Sequence, residues 1–394
     1  MSEYSLVHTS SFNANNWCLE LKPLYKHGLL SSLSNGEVSL LDWNSASVIQ
    51  TIKTGETSIN KMRVIGGDYE EGSVFATASI DAVKVFDVRT NGSSSIADIH
   101  NEKNSPFLSI DSRNGMLACG TELSGVDAEI HIYDIRNYST PLRSLIDSHH
   151  DDVTDIKFHP SDINVLLSGS TDGYTNIYDL TQEDEEDSLH QVINYASIHS
   201  CGWLSPKRIY TLSHMETFAI HELNDKSEEL TEPRALDFGD IREVWCCDYV
   251  VDVYPGFIAT GKSQKNGELR IIPFVNEIIN MEESIIIPNA HSEEVIRDVF
   301  VPSVDQTLLY SCGEDGNVKI WKTETSRLKV SEEYWDYSKK MNVLDQDSKA
   351  HIDIISTEPN SDHHPVEEMS KHKKHKKEGK HRNKKHSKAR FKPY

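Results

Sequence analysis

The sequence predicts an all-β fold: a single seven-bladed β-propeller, which is a closed ring of seven small antiparallel sheets, followed by a disordered basic C-terminal tail. Two observations predict it. A pattern of apolar strand, small-residue turn and second apolar strand occurs seven times, and the charge changes sign abruptly near residue 370. The final strands of the seven copies lie 43 to 51 residues apart, a spacing typical of a four-stranded blade. Their marker positions are Leu41, Phe86, Tyr133, Tyr178, His221, Ile272 and Trp321.

The two clearest copies are residues 166–180, LLSGSTDGYTNIYDL, and residues 308–322, LLYSCGEDGNVKIWK. Each copy predicts the second and third strands of a blade. The preceding segment supplies the first strand, as in the alternating VTDIKFHP of residues 153–160. The N-terminal apolar residues Tyr4, Leu6 and Val7 are expected to add a strand to the last blade, which would close the ring and remove exposed sheet edges.

Composition divides the chain into three parts. Residues 1–330 are predicted to form the propeller; the weakest copies are five and six, and the blade boundaries are least defined in copies one, five and six. Residues 331–369 are an acidic and polar linker, in which we expect a short helix that carries Tyr334, Trp335 and Tyr337. Residues 370–394 are a Lys- and His-rich tail that cannot bury a core and is expected to be disordered without a partner.

Charge and cysteine usage narrow the class of protein. The formal net charge is -22, the last 25 residues carry +11, and the rest therefore carries -33. No signal peptide or membrane-spanning run is visible. The six cysteines include no CxxC pair, which favours reduced thiols in the cytosol or nucleus. We expect no metal, no cofactor and no membrane partner.

Two copies share a set of polar residues that can bond to one another inside a blade. The fourth copy has His149, Ser170, Asp172 and Tyr178. The seventh has His291, Asp315 and Trp321, with Cys312 near the position of the serine hydroxyl. This pattern resembles the WD40-repeat family, and the resemblance covers about four-fifths of the chain. The resemblance implies that these residues tie the strands of one blade together.

His, Ser and Asp are also the residue types of hydrolases, so catalysis is the alternative interpretation of these sets. A single active site would not require the same set in different blades. Internal ties, in contrast, satisfy buried polar groups that would otherwise cost about 1–3 kcal/mol each. We therefore predict no catalytic residues.

Residues 256–263, GFIATGKS, match the phosphate-binding pattern GxxxxGK[ST]. A genuine phosphate loop lies between a strand and a helix, whose N-terminal amides bind phosphate. Here the loop residues are the apolar core of the sixth copy, and residues 264–267 predict a hairpin turn. The match therefore predicts a strand rather than a nucleotide site, and the protein is expected not to be an enzyme.

The segments FDVR at 86–89 and YDIR at 133–136 resemble the WDxR ending of cullin-RING ubiquitin ligase substrate receptors. The resemblance implies that Arg89 and Arg136 bind the adaptor of such a ligase, because arginine is a rigid multidentate donor. The alternative is a blade-ending aspartate followed by a solvated arginine. Substrate receptor of a cullin-RING ligase is thus one functional hypothesis.

The tail carries clustered bases that predict nuclear or nucleolar import, with weaker RNA contact as a second role. No aromatic residue alternates with them, so base stacking is not indicated. The acidic body is expected to attract a basic partner such as a ribosomal or histone-like protein. The main hypothesis is a non-catalytic nuclear, nucleolar scaffold in ribosome assembly. The tail residues concerned are Lys371, Lys373, Lys374, Lys376, Lys377, Lys380, Arg382, Lys384 and Lys385.

Overall fold

The computed structural model describes residues 4–13, 15–66, 72–90, 94–226, 235–263, 267–331 and 333–345. The basic tail and its predicted targeting residues lie outside the described residues. In the described part, 29 strands form seven antiparallel sheets, and one short helix, α1, spans Glu185–Ser188. The predicted seven-bladed propeller is therefore confirmed.

The strands of blades one to four follow one another along the chain after the N-terminal strand. They are β1 (Ser5–Ser11), β2 (Cys18–Leu24), β3 (Gly28–Leu33), β4 (Glu37–Leu41), β5 (Val48–Lys53), β6 (Lys61–Ile65), β7 (Val74–Ala78), β8 (Val83–Asp87), β9 (Ala97–Ile99), β10 (Phe107–Arg113), β11 (Met116–Thr121), β12 (Ala128–Asp134), β13 (Arg143–His149), β14 (Val153–Phe158), β15 (Val165–Ser170), β16 (Tyr174–Asp179) and β17 (Leu189–Asn194). Blade one comprises β2 to β5, and the next three blades take four strands each.

Blades five to seven contain the remaining strands. They are β18 (Ile198–Ser205), β19 (Arg208–Ser213), β20 (Thr217–Glu222), β21 (Leu236–Asp240), β22 (Tyr249–Tyr254), β23 (Gly256–Gly261), β24 (Leu269–Val275), β25 (Ile278–Ile279), β26 (Ile285–Ile287), β27 (Ile296–Phe300), β28 (Leu308–Gly313) and β29 (Asn317–Lys322). Blade five is β18 to β21. In blade six the fourth strand is split, because both β25 and β26 pair with β24. This irregular blade coincides with one of the weak copies in the sequence.

All seven marker residues lie in the third strand of their blades, in one repeated register. Leu41 pairs with Leu29 in blade one, and Trp321 pairs with Leu309 in blade seven. The other five markers likewise face a residue of the second strand. The apolar repeat in the sequence therefore reflects one buried contact made seven times.

The ring is closed by the N-terminal strand and by packing between blades. Strand β1 pairs with β29 on the outer side of blade seven. Seven apolar clusters each join two neighbouring blades, and one of them packs Cys18 and Leu29 of blade one against Tyr310 and Val318 of blade seven. Every blade thus buries apolar surface against both neighbours.

Buried carboxylates on the innermost strands connect neighbouring blades, and we name these contacts the inter-blade clasps. Each carboxylate accepts a hydrogen bond from a backbone N–H of the next blade. The pairs are Glu20 with Met62 N, Asp111 with Phe158 N at 2.8 Å, Asp155 with Cys201 N at 3.1 Å, and Asp298 with Leu21 N at 2.8 Å. Neighbouring cations neutralise them, as Arg63 does for Asp111 at 2.8 Å and Lys157 for Asp155 at 2.5 Å.

The expected helix between 331 and 347 does not form in the described residues. Residues 333–345, which we name the strap, cross one face of the ring as turns and extended chain. Some of their polar groups bond within this segment, and others bond to the propeller: Met341 N donates to Ser161 O, and Val343 N donates to Asp162. These external partners replace the hydrogen bonds that a helix would supply.

We predict that Asp298→Ala destabilises the ring strongly. Asp298 also accepts hydrogen bonds from Tyr254 OH and Val299 N and lies 3.4 Å from Lys22 Nζ. Its removal leaves the N–H groups of Leu21 and Val299 without this acceptor and takes one of two carboxylate partners from Lys22, which costs about 3–5 kcal/mol. Urea denaturation measures the loss. The exposed Asp147→Ala is the control, and equal stability of the two variants would contradict the structural role of the clasp.

Candidate functional site

A fully buried histidine, His149 at the end of β13, connects blade three to the strands of blade four. His149 Nδ1 lies 2.9 Å from an Asp172 oxygen, and His149 Nε2 lies 2.7 Å from Ser168 Oγ. Ser168 Oγ in turn lies 3.4 Å from the Tyr178 hydroxyl. The serine expected from the sequence, Ser170, does not bond to His149; its hydroxyl donates to Asp151 O at 3.0 Å and accepts from the N–H of Asp172 at 3.1 Å. Both serines face the same side of β15, because side chains alternate with a period of two.

Blade seven has the same arrangement. His291 lies 2.7 Å from Asp315 and 2.7 Å from Ser311 Oγ, which also accepts from Trp321 Nε1 at 2.9 Å. The hydroxyl position is therefore occupied by Ser311, one residue before the expected Cys312. Burial lowers the pKa of His291. Burial alone would raise the pKa of Asp315, but the hydrogen bonds from His291 and Asn317 and the charge of Lys319 together outweigh it, and the net pKa is lowered. Both histidines are fully buried, so the sets join strands and do not face a substrate.

The phosphate-loop match is part of a sheet. Residues Gly256–Gly261 are strand β23, which pairs with β22 on one side and β24 on the other. Their backbone groups are used in these two ladders and are not gathered around an anion. Lys262 Nζ lies 3.9 Å from a Glu268 oxygen.

Arg89 and Arg136 fold back onto the aspartate two residues before them. Arg89 Nε and Nη2 bond to both oxygens of Asp87, and Arg136 does the same with Asp134. The bonds from Arg89 lower the pKa of Asp87 to about 2 against the opposing effect of burial. The side chains of both arginines remain 67% and 85% exposed.

A third Asp-x-Arg pair, missed in the sequence, has the same geometry between Asp240 and Arg242. It follows a fourth strand rather than a third. The pairing is thus a local property of the Asp-x-Arg segment, and the role of Arg89 and Arg136 in adaptor binding stays a prediction.

The strap is held by aromatic side chains that contact several blades. Tyr334 OH donates to Val253 O of blade six at 2.9 Å, and Trp335 Nε1 donates to Ser161 Oγ of blade four at 2.8 Å. Val343 and Leu344 are buried in the apolar cluster between blades four and five. The strap therefore bridges blades that are not neighbours in the ring.

His159 organises the loop that receives the strap. Its Nδ1 accepts from the N–H groups of Ser161 at 3.1 Å and Asp162 at 2.9 Å, and its Nε2 donates to Pro206 O at 3.1 Å. Two donors at Nδ1 require an unprotonated nitrogen. The ring also packs between Trp203 and Trp335. Burial lowers the pKa of His159 to about 4, consistent with a neutral ring.

The first strands of the blades surround a central cavity of about 340 Å³. Its wall combines the clasp carboxylates with lysine and arginine side chains, so charges of both signs face each other in pairs. Tyr334 and Tyr337 belong to its lining. The strap therefore lies across one end of the cavity.

The two faces of the ring differ. Antiparallel strands alternate in direction, so the turns between second and third strands lie on the same face as the connections between blades. We name this the hairpin face; the strap contacts the opposite one, the strap face. The described connections of the hairpin face contain three basic residues (Lys103, Arg242 and Lys262) and sixteen acidic ones: Glu56, Asp81, Glu102, Glu122, Asp127, Asp151, Asp152, Asp172, Glu216, Glu243, Asp248, Glu268, Glu293, Glu294, Glu314 and Asp315.

The hairpin face also exposes large apolar side chains: Trp17, Ile80, Leu123, Val126, Met215 and Val244. Exposed apolar groups beside charged ones are a feature of protein-binding surfaces. Within the described ranges, no group of three or more His, Cys, Asp or Glu is arranged to hold a metal ion. No helix in that same part of the chain is long and apolar enough to cross a membrane.

Comparison with known proteins gives the family. A family model described as WD domain, G-beta repeat matches residues 139–179 and 283–322, which are the regions of the two histidine networks. Over its whole length the chain is 63% identical to an uncharacterized WD repeat-containing protein of Saccharomyces cerevisiae, and the match spans all of that protein. The chain belongs to the WD repeat family. WD repeat propellers are generally non-catalytic scaffolds that bind other proteins.

More distant WD repeat proteins are similar over part of the chain. The WD repeat-containing protein 89 homolog of Dictyostelium discoideum is 26% identical over 82% of this chain and 88% of its own length. The histone acetyltransferase type B subunit 2 of Candida glabrata is 29% identical over 46% of this chain and 42% of its own length. These similarities bear out the resemblance seen in the sequence.

We predict that acid destabilises this WD repeat protein partly through His159. Its pKa is about 4 in the folded chain and 6.5 unperturbed, so between these values the unfolded chain binds a proton that the folded chain does not. Stability is therefore lost as the pH falls from 6.5, by about 1.4 kcal/mol per pH unit for this group. Urea denaturation at pH 6.5 and 5.5 compares the wild type with His159→Gln, whose loss should be smaller. His8→Gln, on the exposed strand β1, is the control, and equal losses in all three would refute the prediction.

Proposed function

We propose that the protein is a non-catalytic scaffold that binds a basic protein through the hairpin face. The observation that carries the proposal is the excess of acidic residues on that face, together with its exposed apolar side chains. Such a face attracts a positively charged partner and offers it apolar contacts. Among the described residues, the strap covers part of the other face and does not contact the hairpin face.

The proposed setting is the nucleus, and in particular the nucleolus during ribosome assembly, where basic ribosomal proteins are handled. The twelve lysines and arginines of the last 25 residues support nuclear import. The similarity to a protein named as a histone acetyltransferase subunit makes histones the second class of basic partner to test. In this proposal the tail supplies targeting and a weak, salt-dependent contact with RNA.

Binding of purified basic proteins tests the proposal directly. We expect the immobilised full-length chain to retain purified ribosomal proteins or histone H3–H4 at 0.1 M salt. Retention should fall several-fold by 0.5 M salt, because screening weakens contacts between exposed charges. Acidic and neutral proteins of similar size are the controls. Equal retention of acidic and basic proteins, or retention of neither, would contradict the proposal.

Deletion of residues 370–394 tests the targeting role of the tail. A fluorescent fusion of the full chain should accumulate in the nucleus, and the deletion should shift it to the cytoplasm, because the clustered bases are removed. Deletion of residues 346–369 is the matched control, since it removes a similar length without the basic clusters. Unchanged nuclear fluorescence after deletion of 370–394 would disprove this role.

A further inference from the structure

We infer that one arc of the hairpin face, formed by blades two to four, is the docking surface for a basic segment that carries apolar side chains. This inference rests on the proposed function and specifies where the partner binds and by which chemistry. The arc comprises the connections 79–82, 100–106, 122–127, 150–152 and 171–173.

Hydrogen bonds join these five connections into one continuous surface. His100 Nδ1 lies 3.1 Å from Asp81 O, and Glu122 N donates to Pro106 O at 2.8 Å. Leu123 N then donates to Asp152 at 2.9 Å, and Thr171 N donates to Asp152 O at 3.0 Å. Because each connection is fixed to the next, the arc presents its side chains in a defined arrangement before a partner arrives. A preformed surface loses less entropy on binding.

Three apolar side chains stand out of this arc. Ile80 is 50% exposed, Leu123 is 37% exposed, and Val126 is 77% exposed. They belong to the hairpins of blades two and three, which are neighbours in the ring. None of the three contributes to the apolar clusters between blades. They are therefore available as anchors for apolar groups of a partner.

The negative charge of the arc favours a positively charged partner. Its connections contain seven acidic residues and one basic residue, Lys103, whose Nζ already pairs with Glu129 at 2.9 Å. The seven are Asp81, Glu102, Glu122, Asp127, Asp151, Asp152 and Asp172. Asp81, Glu102 and Glu122 are exposed. A partner with lysine or arginine beside its apolar residues complements both features.

Other parts of the hairpin face fit such a partner less well. Met215 and Val244 are exposed near blades five and six, but Arg242 lies in the same connection as Val244, and Lys262 lies in the hairpin of blade six. Near blades seven and one, the indole of Trp17 lies 5.7 Å from the guanidinium of Arg297. Each of these regions places a cation where a basic partner would approach. The arc of blades two to four instead combines three exposed apolar side chains with seven acidic residues and a single lysine.

Three matched variants of the full-length chain test the inference. Ile80→Ser/Leu123→Ser/Val126→Ser removes the anchors, and Asp81→Asn/Glu102→Gln/Glu122→Gln removes three exposed charges. Leu142→Ser/Val304→Ser removes two exposed apolar side chains from the strap face and is the control. Thermal unfolding verifies that each variant is folded. Val126→Ser alone serves if the triple variant is unstable, because Val126 is the most exposed of the three.

The probes are purified histone H3–H4 and purified ribosomal proteins, titrated at several salt concentrations. We expect the anchor variant to bind at least ten-fold more weakly, and Val126→Ser alone about three-fold more weakly. The charge variant should bind more weakly with a shallower dependence on salt, and the control should bind as the wild type does. Wild-type affinity of the anchor variant, or equal weakening by the control, would overturn the inference while the proposed function stands. If the wild type binds neither probe, both the proposed function and the inference are rejected.

Discussion

The ring depends on carboxylates that reach from the innermost strand of one blade to the backbone of the next. A propeller has no common core, because each sheet packs only on its two neighbours. At the centre the sheets converge, and the backbone N–H groups of the inner strands need acceptors there. Glu20, Asp111, Asp155 and Asp298 supply them. Removal of charge from water is unfavourable, so each clasp is accompanied by a cation, and the cavity wall becomes a ring of paired charges.

The sequence alone predicted the fold because seven copies share one buried register. Leu41 and Trp321 are different residue types, but both lie in the third strand of a blade and pair with a leucine of the second strand. The hydrogen-bond partners of individual residues were harder to predict from the sequence. Ser168 and Ser170 lie on the same side of one strand, so the sequence did not distinguish which hydroxyl meets His149. The clasps were missed as well, because they join residues such as Leu21 and Asp298 that are distant in the chain.

The polar groups of the two faces of the propeller have different surroundings. On the strap face, the loop around His159 and Ser161 is satisfied by the chain itself, since Trp335 and Met341 bond to it. A helix was expected at the strap, yet its aromatic groups contact different blades, as Tyr334 does with blade six and Trp335 with blade four. On the hairpin face, acidic residues such as Glu122 are exposed, and no described segment like the strap covers them. The two faces therefore differ in exposed polar groups because the strap covers part of only one of them.

The pairing of β1 with β29 bears on how the chain is synthesised. Ser5 and Lys322, which bond across this pair, are 317 positions apart in the chain. During translation the first strand is made early, but its partner emerges only after six blades have left the ribosome. Until then the flanks of the first and last blades have no neighbour, and long-range closure of this kind is slow. Molecular chaperones that shield apolar surface are thus expected to matter most for this protein before its final blade is complete.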